Sequence, residues 1–172
     1  MTTTTDLKIA NLRQLLDFDA RRFTSAEIHL HRALPGWIKA ATSLKLQAVL
    51  QRYADYVAVH VVNMEKFIAA EEIYSISLHN QVIEAFIAET DEKLAASCDE
   101  EVKDAALLAC VQAINHYKIS TYGSAAAFAQ TLHFDNAATI FKEAEMQEKQ
   151  IDDRLSQLAA FEINRLANEP AG

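Results

Sequence analysis

Three glycines and two prolines in 172 residues leave the chain almost without the usual breakers of regular structure. With abundant Ala, Leu, Glu, Gln and Lys, that scarcity excludes a fold built on many tight turns and points to long helices with few connections. Cysteine is scarce too. Cys98 and Cys110 form no motif and read as reduced thiols of a cytoplasmic protein, Cys110 as a small core residue and Cys98 in a loop. Positive charge is in deficit: 16 Lys and Arg stand against 24 Asp and Glu, a net charge of −8. This argues against nucleic acid as a partner and against docking on an anionic membrane. The longest nearly apolar run, about Ala105 to Ile114, falls far short of the roughly 20 residues a membrane span needs. The start, MTTTTDLK, has no apolar core of the signal-peptide kind. No catalytic triad, Gly-rich phosphate loop or Cys-His zinc spacing is present. The length suits a single domain over residues 1–172 with one core.

What is present is helical periodicity. Behind a disordered tail of residues 1–5, Thr5 or Asp6 caps a first helix marked by Ile9, Leu12, Leu16, Phe23, Leu30 and Leu34. It runs to about Ala41, with a kink or break expected at Pro35-Gly36. Ser43 caps a second helix striped by Leu46, Leu50, Tyr53, Val57, His60, Met64 and Phe67, ending near Glu71. Val82, Ile83, Phe86 and Ile87 mark a short helix within a connection over 72–100. A link of roughly thirty residues far exceeds the two to eight usual between bundle helices, and is long enough to travel the length of the bundle. The third long helix spans about Glu101 to Leu132. Asp135 caps a fourth, carried by Phe141, Ala144, Ile151, Leu155 and Leu158 and fading by about Ala167. Two helical hairpins joined by one long crossover is the connectivity of an all-α, ferritin-like four-helix bundle.

Each long helix then breaks its own apolar stripe. The interruptions are Glu27 on the first, Tyr53, Tyr56 and His60 on the second, Asn115 and Lys118 on the third, and Glu148 on the fourth. Glu27 and Val57 lie about 15 residues either side of the turn near Thr42, and Lys118 and Glu148 about 15 either side of His133-Phe134. At 1.5 Å per residue all sit roughly 22 Å from their own turn, so they form one polar layer at mid-bundle. A two-metal centre at that level takes a Glu from each of two helices and a Glu-x-x-His pair from each of the others. Here Glu27 and Glu148 are the only carboxylates on the seams at that height. His60 is a third candidate ligand, with Val57 rather than Glu at i−3, and Lys118 is a cation where cations would bind. Tyr53, Tyr56, Tyr117 and Tyr122 read as core aromatics whose hydroxyls reach the layer. His116 reads as a hydrogen-bonded core or interface residue.

Four segments carry a family resemblance. They are AEIHLHRALPGWIKAATS over 26–43, His60-Val61 with Met64-Glu65, DAALLACVQAINHYKISTYGSA over 104–125, and EKQIDDRL over 148–155. Together they resemble the YciF-like family of ferritin-like bacterial proteins, a stress-associated group of unknown biochemical function. The resemblance covers nearly the whole chain. Its most specific part is HYxIxxYG, here His116, Tyr117, Ile119, Tyr122 and Gly123. It implies the ferritin-like fold and carboxylates at mid-bundle. Glu27 and Glu148 match the glutamates of the family's first and last helices, and Glu84 matches one in its short connecting helix. Tyr53 and Tyr56 stand where the family has His and Glu, and Asn115 and Lys118 where it has two glutamates.

Two functions follow. In the first, the chain has lost its di-metal centre, binds no cofactor, and acts as a structural or partner-binding protein with Lys118 supplying the counter-charge. In the second, it is an iron or manganese oxidase or iron handler using Glu27, His60, Glu148 and Glu84. A homodimer is expected in either case, with an unidentified protein partner in the first.

Overall fold

The structure, a computed structural model, describes residues 8–73 and 79–169. It is all-helical: α1 spans Leu12–Ala40, α2 Leu44–Ala70, α3 Gln81–Ala96, α4 Glu100–Thr131 and α5 Asp135–Leu158. A π-helical turn, Ala159–Ile163, and a last short helix α6, Asn164–Ala167, complete the chain. No helix among the described residues is long and apolar enough to cross a membrane.

Side-chain oxygens start four of the five main helices. Asn11 caps α1 through the Gln14 amide, Ser43 caps α2 through Leu46, Asn80 caps α3 through Val82 and Ile83, and Asp99 caps α4 through Val102. Thr5 and Asp6, expected to cap the first helix, lie outside the described residues. Asp135, expected to cap the fourth, is instead the first residue of α5. The cap position belongs to Phe134, which has no acceptor, so Asp135 contributes through its charge at the positive end of the helix dipole. Pro35 does not break α1, which continues unbroken through it to Ala40. Pro35 and Gly36 both face solvent, where water can take up the carbonyl that proline leaves unbonded. Buried Leu34 and Trp37 hold the last turn on the core, and Trp37 Nε1 donates to Asp91 at 2.9 Å.

α1 and α2 pair across a three-residue turn, and α4 and α5 across another; α2 also packs on α5 and α1 on α4. Polar contacts at the two ends fix the directions. Near the start of α4, Asp104 accepts from the amides of Thr42 and Ser43 and from the Thr42 hydroxyl, at 2.7–2.9 Å. At the opposite end Arg13 pairs with Glu71 and stacks over Phe134. α4 therefore runs alongside α1 in the opposite sense and parallel to α2. Between α2 and α4, α3 carries the chain back over α1 and α4. Asn80 Nδ2 donates to the Arg22 carbonyl at one level, and Asp91 accepts from Trp37 at another.

The interior is filled by stripes of these helices, among them Leu30, Leu34, Leu46, Leu50, Leu107, Val111, Ile114, Ile151 and Leu155. Asp104, only 3 % exposed, is the main polar tie at its end. Asp104→Ala leaves two turn amides and a hydroxyl without their acceptor at the half-buried turn between α1 and α2. We expect a loss of about 2–3 kcal/mol in urea unfolding, with no change in helical content by circular dichroism.

Candidate functional site

At mid-height the four long helices direct polar side chains to one point. Glu27 comes from α1, Tyr53 and His60 from α2, Asn115, Lys118 and Tyr122 from α4, and Glu148 from α5; none is more than 2 % exposed. Lys118 is at the centre. Its ammonium lies 3.2 Å from Glu27 Oε1, in direct ion-pair contact with Glu148 Oε1, and 3.5 Å from His60 Nδ1. The ammonium thus has two carboxylate oxygens as ion-pair partners and the His60 ring nitrogen as a hydrogen-bond partner. The same nitrogen sits 4.8 Å above the Tyr53 ring, where the negative face of the aromatic adds attraction.

Around this centre each carboxylate has further partners. Glu148 Oε2 accepts from the Tyr53 hydroxyl at 2.8 Å and from Asn115 Nδ2 at 2.7 Å. Asn115 Nδ2 also reaches the Glu148 carbonyl at 2.8 Å, which ties α4 to α5 at this level. Glu27 Oε1 accepts from the Tyr122 hydroxyl at 2.9 Å. Neither Glu27 Oε2 nor Asn115 Oδ1 has a hydrogen-bond partner among the described residues. His60 Nε2 meets Gln147 Oε1 at 2.8 Å. An amide oxygen can only accept, so Nε2 carries the proton and Nδ1 presents its lone pair to Lys118.

Two expected members, Tyr56 and Glu84, are elsewhere, and so is His116. Tyr56 is half-buried on the outer seam of α2 and α5, its hydroxyl donating to Gln150 at 3.1 Å and taking a bond from Arg52. Glu84 is 40 % exposed on α3, outside the bundle, beside His29 and His79. His116, read as a hydrogen-bonded core or interface residue, is hydrogen-bonded to Asp152 at 2.8 Å but is exposed and outside the core. Gln147, which orients His60, carried no signal in the sequence: it is a polar residue on a polar face. Ligand atoms of Glu27, His60 and Glu148 all lie within 4.8 Å of one another, the one such cluster of metal-ligating groups among the described residues.

A model of the family described as a domain of unknown function (DUF892) matches residues 11–168. The chain belongs to that family. It is 31 % identical over 148 residues to protein YciF of Escherichia coli strain K12, which covers 86 % of this chain and 89 % of YciF. The crystal structure of the E. coli stress protein YciF superposes with a TM-score of 0.82 at 28 % identity, covering 94 % of this chain and 100 % of that one. YcfI of Rhodopseudomonas palustris, described as a "putative structural protein", superposes with a TM-score of 0.80 at 25 % identity, over 89 % of this chain and 96 % of YcfI.

In this DUF892 domain, burial sets the proton equilibria of the layer. Desolvation pushes Glu27 up to about 7 from its ordinary 4.5; Lys118 pulls against the rise and the Glu148 charge adds to it. Desolvation, reinforced by Lys118, pushes His60 down to about 3 from 6.5, so its imidazole is neutral. Burial, then the nearby carboxylates, hold Tyr53 and Tyr122 well above the ordinary phenol value, so both stay as donors.

The two shifts act on stability with opposite signs. Glu27 binds a proton more tightly when folded, so its contribution is complete below 4.5 and is lost as pH rises through about 7. His60 binds one less tightly when folded, so its contribution is complete above 6.5 and is lost as pH falls through about 3. Between 4.5 and 6.5 the slopes oppose. We therefore expect His60→Gln to uncover the Glu27 term, with urea stability falling from pH 4.5 to 6.5 by up to about 1.4 kcal/mol per pH unit more than in the wild type. Glu27→Gln should tilt the profile the other way below pH 6.5. Parallel profiles for all three proteins would show that neither group titrates as the burial requires.

Proposed function

We propose that this chain is a ferritin-like four-helix bundle in which an ion pair has replaced the two-metal centre, and that it serves as a structural or partner-binding protein. The observation that carries the reading is the position of Lys118, whose ammonium lies among Glu27, Glu148 and His60 at the level a metal would share. The donor set does not fit a two-metal centre. It offers two carboxylates and one imidazole, and the places for the remaining ligands are taken by two phenols, an amide and a fixed cation. Charge balance agrees: one ammonium answers Glu148, and Glu27 holds its proton more tightly than usual. The likeness to YcfI, described in structural terms, supports a non-enzymatic role.

The ring of packed helices, with the crossover returning along α1, supports the ferritin-like arrangement. Exposed apolar residues on α2 and α5, Val59, Val62 and Met146, support pairing of two copies along these helices. We place the protein in the cytoplasm, its two cysteines free.

A second reading keeps one specific observation: the clustered ligand atoms of Glu27, His60 and Glu148, together with the partnerless Glu27 Oε2. On that reading Lys118 would have to withdraw and one iron or manganese ion take its place. Elemental analysis of the purified protein, repeated after anaerobic ferrous loading and gel filtration, separates the two. We expect neither metal to be held at mid-bundle. One or two ions per chain that disappear on replacing Glu27 or Glu148 would overturn the proposal.

A further inference from the structure

α2 keeps an exposed strip on the side away from the core. Asp55, Val59, Val62 and Lys66 all face solvent, the two valines 51 % and 47 % exposed. At 3.6 residues per turn the four fall within an arc of about 60°, opposite buried Tyr53, Val57, His60 and Met64. Their order along the strip is symmetric. Reversing α2 about the level between residues 60 and 61 exchanges Val59 with Val62 and Asp55 with Lys66. Each apolar residue then meets an apolar one, and each charge meets its opposite. A surface that complements itself when turned end for end is what a two-fold contact requires, since residue i meets j and j meets i. We propose that two copies of this chain pack α2 against α2, antiparallel, about a two-fold axis at that level. The assignment rests on the reading that the chain pairs, and adds the helix, the direction and the register of the contact.

In this register the valines lie about 2 Å along the helix from the axis and keep water from its centre, while Asp55 and Lys66 lie about 8 Å from it. Small residues continue the strip. Ala48 and Ala69, both exposed, stand beyond the charges on the same side, so the two helix axes can approach at the near end of the usual range of roughly 8–10 Å. The same reversal sets Arg52 against Ala69, which leaves room for the long arginine side chain. Among the described residues Lys66 has no ion pair and Asp55 takes only a hydrogen bond from Gln51, so neither gives up a charge partner on association. Opposite charges at fixed places matter for a chain of net charge −8, because two copies otherwise repel one another. The mid-bundle layer lies on the other side of α2 and takes no part in the contact.

The test is sedimentation equilibrium of the full-length protein at low salt, over a range of concentrations. We expect the wild type to self-associate. Asp55→Lys and Lys66→Asp each put two like-charge contacts across the axis, and each alone should weaken association by about tenfold or more. In an equimolar mixture of the two variants every one of these contacts is again between opposite charges, so the mixture should associate as tightly as the wild type. Val62→Asp sets two carboxylates beside the axis and should weaken association by about a hundredfold or more. All three positions are exposed, and circular dichroism of the variants should match the wild type. A wild type that stays monomeric throughout would remove the pairing itself. Self-association that survives Val62→Asp unchanged, or a mixture of the charge variants no tighter than either alone, would leave the pairing standing and overturn the α2 axis.

Discussion

Lys118→Met should lower the unfolding free energy by about 3–5 kcal/mol, the usual cost of leaving a buried charge without its partner. The ammonium is 1 % exposed and faces two carboxylates that are themselves sealed from water. Methionine restores the volume and so isolates the charge effect from cavity formation. What remains is Glu148, still tied to Tyr53 and Asn115, beside Glu27, which already holds its proton up to about 7. Without Lys118, Glu27 loses the neighbour that most holds its proton affinity down and binds its proton still more tightly when folded. The loss in Lys118→Met should accordingly be greater at pH 8 than at pH 5, because stability from a raised carboxyl drains away as pH rises. Adding Glu27→Gln and Glu148→Gln removes the charges that lack an answer while leaving acceptors for Tyr122 and Tyr53. That triple variant should recover much of the loss, since neutral replacements of buried ionic groups are often close to neutral in stability. Urea unfolding of the three proteins at both pH values checks this. A single variant as stable as the wild type would mean that hydrogen bonds from the two tyrosines and Asn115 hold the layer without help from charge.

The helices and their common polar level were readable because both depend on one quantity, distance along a helix. Once the turns near Thr42 and His133 were identified, a constant rise per residue put Glu27, Lys118 and Glu148 at one height. Direction around the helix axis was harder. Tyr56 is three residues from Tyr53, which rotates it by about 60° from the inward direction, enough to carry it onto the outer seam while Val57 fills the core. Tyr122 enters the layer from one turn beyond Lys118 because a long helical side chain leans back toward the preceding turn, and its hydroxyl reaches Glu27. Glu84 failed as a mid-bundle candidate for a topological reason: α3 lies over α1 and α4, outside the four long helices, so its carboxylate has no path inward. The helix does not break at Pro35 because the cost of a proline depends on which way its freed carbonyl faces, and that needs the fold.

Lys118→Glu combined with Asn115→Glu should raise the affinity of the mid-bundle layer for metal. The change exchanges a fixed cation and an amide for two carboxylates on the face of α4 that already meets Glu27 and Glu148. Four carboxylates and the neutral His60 then converge in a volume that excludes water, and without a counter-ion their mutual repulsion is severe. The metal-free variant should be less stable than the wild type and should bind some of its carboxyl protons up to neutral pH. A divalent ion such as manganese relieves the repulsion and, by binding only the folded state, raises stability by about 2.7 kcal/mol at a hundredfold excess over its dissociation constant. α2 limits the outcome. It offers His60 but has Tyr53, whose hydroxyl bonds Glu148, where a second ion would need a carboxylate or imidazole. We therefore expect one ion per chain, seen by elemental analysis and by a melting temperature that climbs with added manganese, where the wild type shows no such dependence at this site. A double variant that melts at the same temperature with and without manganese would show that replacing the α4 pair does not rebuild the centre, and that the tyrosines of α2 and α4, rather than Lys118, keep metal out.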